Sequence, residues 1–190
     1  MVPSDEGHRL ASSPNNFNFL DVSVKRVPED PVMTEQRLKT VTVAGTFDVM
    51  HKGHWFLLEE AFNVAEKVII GITTDAFASA MKKPHDIDPY EVRLGEVKKY
   101  LYKKGLLSRA VFFPLDDPFG PSIDDGGIEG ILVSEETEKG AEAINQIRVK
   151  NGKRPLLIFV MKMVLADDGK PISSTRVRRQ EVDRYGRLIG

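Results

Sequence analysis

The stretch Val41-Thr42-Val43-Ala44-Gly45-Thr46-Phe47-Asp48-Val49-Met50-His51-Lys52-Gly53-His54 decides the fold. Its first four residues read as a strand closed by Gly45. From Gly53 to Glu66, Phe56, Leu57, Glu60, Ala61 and Val64 recur at helical spacing. Val68-Ile69-Ile70-Gly71-Ile72 follows as a nearly continuous apolar run, the kind of strand buried on both faces of a parallel sheet. Strand, helix and strand in this order make a right-handed parallel crossover.

The same alternation continues toward the C-terminus. Asp88 is placed to cap a long helix, with Pro89 in its first position and Gly105 beyond its end. Ala110-Val111-Phe112-Phe113, Gly130-Ile131-Leu132-Val133 and Leu156 to Val164 read as three further strands. Helices are expected over Glu138 to Lys150 and from about Thr175 to Tyr185. The sum is an α/β protein: a single Rossmann-like, doubly wound parallel five-stranded sheet of order 3-2-1-4-5 with helices on both faces. Ligands of such sheets bind beyond the carboxyl ends of the strands, at the switch point between strands 1 and 4.

Working toward the N-terminus, residues 1–38 hold Pro3, Pro14, Pro28 and Pro31 with no sustained apolar period. They are expected to form an extended or poorly ordered arm, with residues 39–190 as the folded domain. Phe17, Phe19, Leu20 and Val22 are candidates for a short strand docking on the body, and Met33 is an alternative start.

Composition narrows the function classes. In 190 residues, 41% are hydrophobic and 29% charged, and 27 basic against 28 acidic residues give a net charge of −1. That balance speaks against an electrostatic nucleic-acid binder. The absence of cysteine removes disulfide scaffolds, thiolate nucleophiles and cysteine-ligated metal centres. No apolar run approaches the ~20 residues that span a bilayer, and the first residues lack a secretory pattern. A cytoplasmic protein with no membrane partner is expected, and the sequence does not speak to oligomeric state.

The residues that bear chemistry cluster where the fold puts ligands. His51 and His54 lie three apart at the opening of the first helix, on one side of it, with Gly53 between them. A helix start offers free N–H donors and partial positive charge, which suits phosphate, and Gly53 allows close approach to backbone. Two other readings stand beside this one: polar capping by the histidines, or a metal site, which lacks a third ligand. Near the chain end, Pro171-Ile172-Ser173-Ser174-Thr175-Arg176-Val177-Arg178 places serines before a helix, either as an anion cradle with Arg176 adding charge or as an ordinary cap. Strand 5 lies beside strand 4, so both helix starts can face one triphosphate. Lys82-Lys83-Pro84, after strand 2, is either solvated surface or a grip on a second phosphate. Ser134-Glu135-Glu136-Thr137 ends strand 4, where it either balances a helix dipole or lines an adenosine pocket.

Gly45-Thr46-Phe47-Asp48, His51-Lys52-Gly53-His54 and Ile172-Ser173-Ser174-Thr175-Arg176 resemble the GTFD, HxGH and ISSTxxR elements of the nucleotidyltransferase superfamily. Asp117-Pro118-Phe119-Gly120-Pro121-Ser122 and Val133 to Thr137, continuing to Gly140, Ile144-Asn145 and Arg148, are similar to the archaeal and eukaryotic phosphopantetheine adenylyltransferases. The likeness covers about residues 40 to 180 and makes the domain a nucleotidyltransferase domain. It implies adenylyl transfer from ATP to 4′-phosphopantetheine, giving dephospho-coenzyme A and pyrophosphate, with magnesium accompanying ATP and no protein-held metal. By the same likeness His54, His51 and Lys82 are catalytic. Gly45, Thr46, Phe47, Gly53, His54, Ser134, Glu136, Ile172, Ser173, Ser174, Thr175 and Arg176 bind ATP. Thr46, Asp48, Lys82 and Arg148 hold the acceptor, Arg148 standing in for the arginine-rich stretch that bacterial members place after strand 4. The alternatives are a nicotinamide-mononucleotide or FMN adenylyltransferase, a glycerol-phosphate cytidylyltransferase or, from another class, a non-catalytic nucleotide sensor.

Overall fold

The computed structural model describes residues 22–25, 37–81 and 86–190. Six strands form one sheet: β1 (Val22–Lys25), β2 (Leu38–Gly45), β3 (Ala65–Thr73), β4 (Ala110–Leu115), β5 (Gly130–Ser134) and β6 (Leu157–Met161), in the order β1-β6-β5-β2-β3-β4. The pairs β6·β5, β5·β2, β2·β3 and β3·β4 are parallel. These are the five expected strands in the expected 3-2-1-4-5 order. The sixth, β1, comes from the N-terminal region and pairs antiparallel with β6, Val22 opposite Met161 and Lys25 opposite Ile158. Phe17, Phe19 and Leu20, also considered for that strand, lie outside the described residues.

Helices cover both faces because each strand alternates its side chains. Val41, Val43, Ile70, Ile72, Leu132 and Phe159 point to one face and are buried against Leu58, Ala61 and Phe62 of α1 (Lys52–Val64) and Val97 and Leu101 of α3 (Tyr90–Lys103). Ile131, Val133, Ile158 and Val160 point to the other and meet Ala141 and Ile144 of α4 (Glu138–Lys150). Each valine, leucine, isoleucine or phenylalanine so buried contributes about 1.5–3 kcal/mol. Short helices α2 (Asp75–Ala80) and α5 (Ser174–Arg178) follow β3 and β6. Among the described residues no helix is long and apolar enough to cross a membrane.

Three local expectations need correction. Asp88 does not cap α3; Pro89 stands at the cap, and the Asp88 backbone N–H and carboxylate bond elsewhere. The last strand stops at Met161 rather than Val164. The last helix stops at Arg178 rather than Tyr185, because Gln180 adopts φ 57° and the chain closes with Gln180 N–H to the Val177 carbonyl and Glu181 N–H to the Arg176 carbonyl. That pair of bonds is a Schellman stop, here without the usual glycine.

Candidate active site at the carboxyl ends of the strands

The turn after β2 carries the first half of the site. Phe47 and Val49 both hold positive φ, 52° and 43°. For a β-branched valine this is a strained conformation, kept because the surroundings over-determine it. His51 then caps α1: its Nδ1 accepts the Gly53 N–H at 3.1 Å. With Nδ1 an acceptor, neutral His51 carries its proton on Nε2. The His54 ring stacks on His51 at 3.9 Å between centroids and tilts against Phe47 at 5.3 Å. A β-carbon on Gly53 would come within 3.0 Å of His51 Cε1 and 3.5 Å of Ile172 Cγ2. Gly53 thus makes room for the capping ring and for the Ile172 segment, a packing reason that the ligand-approach reading did not foresee. His51 takes up the capping role considered beside the anion reading.

The second half of the site arrives from the chain end and is bonded to the first. Ser174 Oγ donates to the Asp48 carbonyl at 2.6 Å. Arg178 grips the Asp48 carboxylate with two hydrogen bonds, Nε to Oδ2 at 2.8 Å and Nη2 to Oδ1 at 2.7 Å. Asp48 is 0% exposed. A bidentate arginine pair at a dry carboxylate fixes orientation as well as distance, and it holds the Arg178 guanidinium well above its ordinary pKa. The segments around residues 46–54 and 172–178 therefore meet. Ser173 caps α5 by accepting the Arg176 N–H at 3.3 Å. The backbone N–H groups of Ser174 and Thr175 have no hydrogen-bond partner among the described residues. Ile172 is buried against Ala166 and Val182 and anchors this turn.

Several expected site residues are placed for other work. Arg176 turns back on its own loop, pairing with Asp168 at 2.7 Å and Glu181 at 3.0 Å and donating to the carbonyls of Lys170 and Pro171. Its charge is used there and is not aimed at the α5 cradle. The ISSTxxR spacing itself places the motif arginine at Arg178. Arg148 is 2% exposed and donates to the carbonyls of Arg154, Ser122 and Asp125, so it fixes the 120–125 turn from beneath and does not face an acceptor. Asp48, expected on the acceptor, is instead the buried joint between the two halves. Lys82 lies outside the described residues.

A residue that sequence reasoning missed holds the floor of the site. Arg93 is 1% exposed; its guanidinium donates to the Thr46 carbonyl at 2.8 Å, Thr73 Oγ1 at 3.3 Å, the Asp88 carbonyl at 2.7 Å and Asp75 Oδ1 at 3.0 Å. The signal was available: Arg93 shares a helix face with Val97 and Leu101, an arginine in an apolar row.

Beside these turns a cavity of about 390 Å³ opens over β2 and β3. Thr42, Ala44 and Gly71 present small side chains or none to this face, and Ala141 and Ile144 of α4, with Ile131 and Val133 of β5, wall the cavity on its other side. Gly45, Thr46, Thr73 and Glu136 also line the cavity, and Phe119 and Ser122 come from the loop that Arg148 fixes. At the end of β5, the Ser134 N–H donates to Thr137 Oγ1 at 3.2 Å, and Glu135 accepts the Met163 N–H at 3.2 Å.

A parallel sheet whose first strand runs into a histidine-capped helix, joined to a serine-capped turn after its last strand, defines a nucleotidyltransferase domain. The chain belongs to the family described as cytidylyltransferase-like, which matches residues 42–180. Its curated relatives include phosphopantetheine adenylyltransferases: that of Methanothermobacter thermautotrophicus is 47% identical over 155 residues, covering 82% of this chain and 92% of that protein. That of Methanosarcina mazei is 42% identical over 151 residues, covering 78% and 96%. Among solved structures, a protein of unknown function from Archaeoglobus fulgidus superposes with a TM-score of 0.58 at 29% identity, over 66% of this chain and 99% of that one. Tyrosyl-tRNA synthetase from the same organism gives a TM-score of 0.57 at 13% identity, over 74% and 60%, a likeness of fold alone.

Proposed function

We propose that the protein transfers the adenylyl group of ATP to 4′-phosphopantetheine, giving dephospho-coenzyme A and pyrophosphate. The observation that carries this reading is the union of the α1 and α5 starts through Asp48, at the carboxyl ends of the strands, in a chain whose relatives are phosphopantetheine adenylyltransferases. An oxygen of the acceptor phosphate attacks the α-phosphorus in line; the P–O bond to the β-phosphate breaks and pyrophosphate leaves. A phosphate monoester, with its second pKa near ~6, is already anionic at neutral pH, so no general base is needed. The work left to the protein is to hold two mutually repelling anions together and to stabilise charge on the transferring and leaving groups.

His54 donates to the α-phosphoryl oxygen, and the free N–H groups of Ser174 and Thr175 receive the leaving phosphates. Lys82 is assigned to bridging acceptor and α-phosphate. The cavity over β2 and β3, apolar along its length with threonine and serine hydroxyls at intervals, suits the pantetheine arm with its amides. Magnesium comes in on ATP, held by phosphate oxygens and water.

Pyrophosphate release, measured with ATP and one acceptor at a time, with magnesium present or chelated, tests the reading. Release with 4′-phosphopantetheine and none with nicotinamide mononucleotide, FMN or, using CTP, glycerol phosphate is expected. Release with another acceptor and none with phosphopantetheine overturns the acceptor, and ATP binding without turnover of any acceptor overturns the enzyme.

A further inference from the structure

Asp88 spends each of its polar groups on a different part of the site. Its backbone N–H donates to Asp48 Oδ1 at 3.0 Å. Its carbonyl accepts Arg93 Nε at 2.7 Å. Its carboxylate meets Arg178 Nη2 at 2.9 Å. Arg93 continues the chain of contacts to the Thr46 carbonyl, Thr73 and Asp75, on the cavity side of the site. Arg178 continues it to α5, whose first N–H groups are those of Ser174 and Thr175. One residue at the entry to α3 therefore ties three elements to a common frame: the turn after β2, the end of β3 with α2, and α5.

We propose that Asp88 is a positioning residue, setting the alignment of the acceptor side against the nucleotide side through Arg178 and Arg93. The inference rests on the reading of the site given above. Adenylyl transfer needs two anions brought within near-attack distance, and a misplacement of about 1 Å can cost about 100-fold in rate even when each substrate still binds. Arg178 approaches Asp48 from α5, Arg93 reaches Thr46 from α3, and Asp88 is the residue both of them touch. Its carboxylate is 43% exposed, so removing its charge leaves the buried Asp48–Arg178 pair and the fold in place.

The test is Asp88→Asn, which keeps the backbone N–H and carbonyl and alters the ion pair, compared with Asp88→Glu, which keeps the charge. In Asp88→Asn, kcat for acceptor-dependent pyrophosphate release is expected to fall about tenfold, with both KM values within about twofold and an unfolding midpoint unchanged within about 2 °C. Asp88→Glu is expected to regain most of the loss. Amide exchange at residues 46–50, followed without substrate on the same proteins, is expected to speed up about fivefold in Asp88→Asn alone. An unchanged kcat, a loss carried by a lowered midpoint, or equal loss in both variants overturns the positioning role. The exchange measurement decides independently of turnover: unaltered exchange in Asp88→Asn overturns the inference even if the wild-type protein uses a different acceptor, whereas wild-type inactivity with faster exchange in the variant overturns only the assigned reaction.

Discussion

Replacing His54 by alanine is expected to lower kcat by about 10²–10³, roughly 3–4 kcal/mol of transition-state stabilisation, the usual effect of deleting one donor to a developing charge. His54 is held between the Phe47 and His51 rings, at centroid distances of 5.3 Å and 3.9 Å. Its orientation is thus fixed before substrate arrives, which makes a donor effective in the transition state. The fold survives the change, because alanine forfeits ring contacts worth about 0.5–1.5 kcal/mol each and the helix cap belongs to His51. Steady-state kinetics alongside a thermal melt separate the two effects. Near-wild-type turnover in a folded variant removes His54 from the chemistry.

Replacing Asp48 by alanine is expected to destabilise the protein by about 3 kcal/mol and to abolish turnover. Removing one partner of a buried pair leaves the other charge uncompensated, which costs about 3–5 kcal/mol. Arg178 retains Asp88 and some access to water, its side chain being 25% exposed, so the lower end applies. The Asp88 N–H loses its acceptor as well. Urea denaturation measures the first effect, and pyrophosphate release with ATP binding beside it the second: with the carboxylate gone the two turns keep the Ser174 bond to the main-chain carbonyl at position 48 but lose the Arg178 grip, and nucleotide affinity falls. A loss below about 1 kcal/mol with ATP binding intact contradicts the role given to Asp48.

The architecture was legible because each parallel strand is announced by a short apolar run. Strand β1 was legible only in part, as a possible docked strand that included Val22, since the four residues Val-Ser-Val-Lys gain their place from pairing with β6 across more than a hundred residues. The two helix starts were legible from histidine and serine at capping positions. The arginines were misread for a common reason. Arg176 and Arg178 stand two apart on one short helix, and their roles are divided by the carboxylates they meet, Asp168 and Glu181 nearby in the chain for one, Asp48 and Asp88 far along it for the other. Arg148 falls on the buried row Ala141, Ile144, Arg148, as Arg93 falls on Arg93, Val97, Leu101. An arginine in an apolar row points to carbonyls or carboxylates inside the protein more than to a ligand, and that pattern identifies both without coordinates.

The most direct measurement is a crystal structure of the complex with a non-hydrolysable ATP analogue. The account requires the α-phosphate against His54 and the β- and γ-phosphates against the N–H groups of Ser174 and Thr175, one triphosphate touching both segments. A triphosphate bound to either segment alone, or away from both, would show that the turns joined by Asp48 and Arg178 meet for structural reasons and do not form a shared phosphate site.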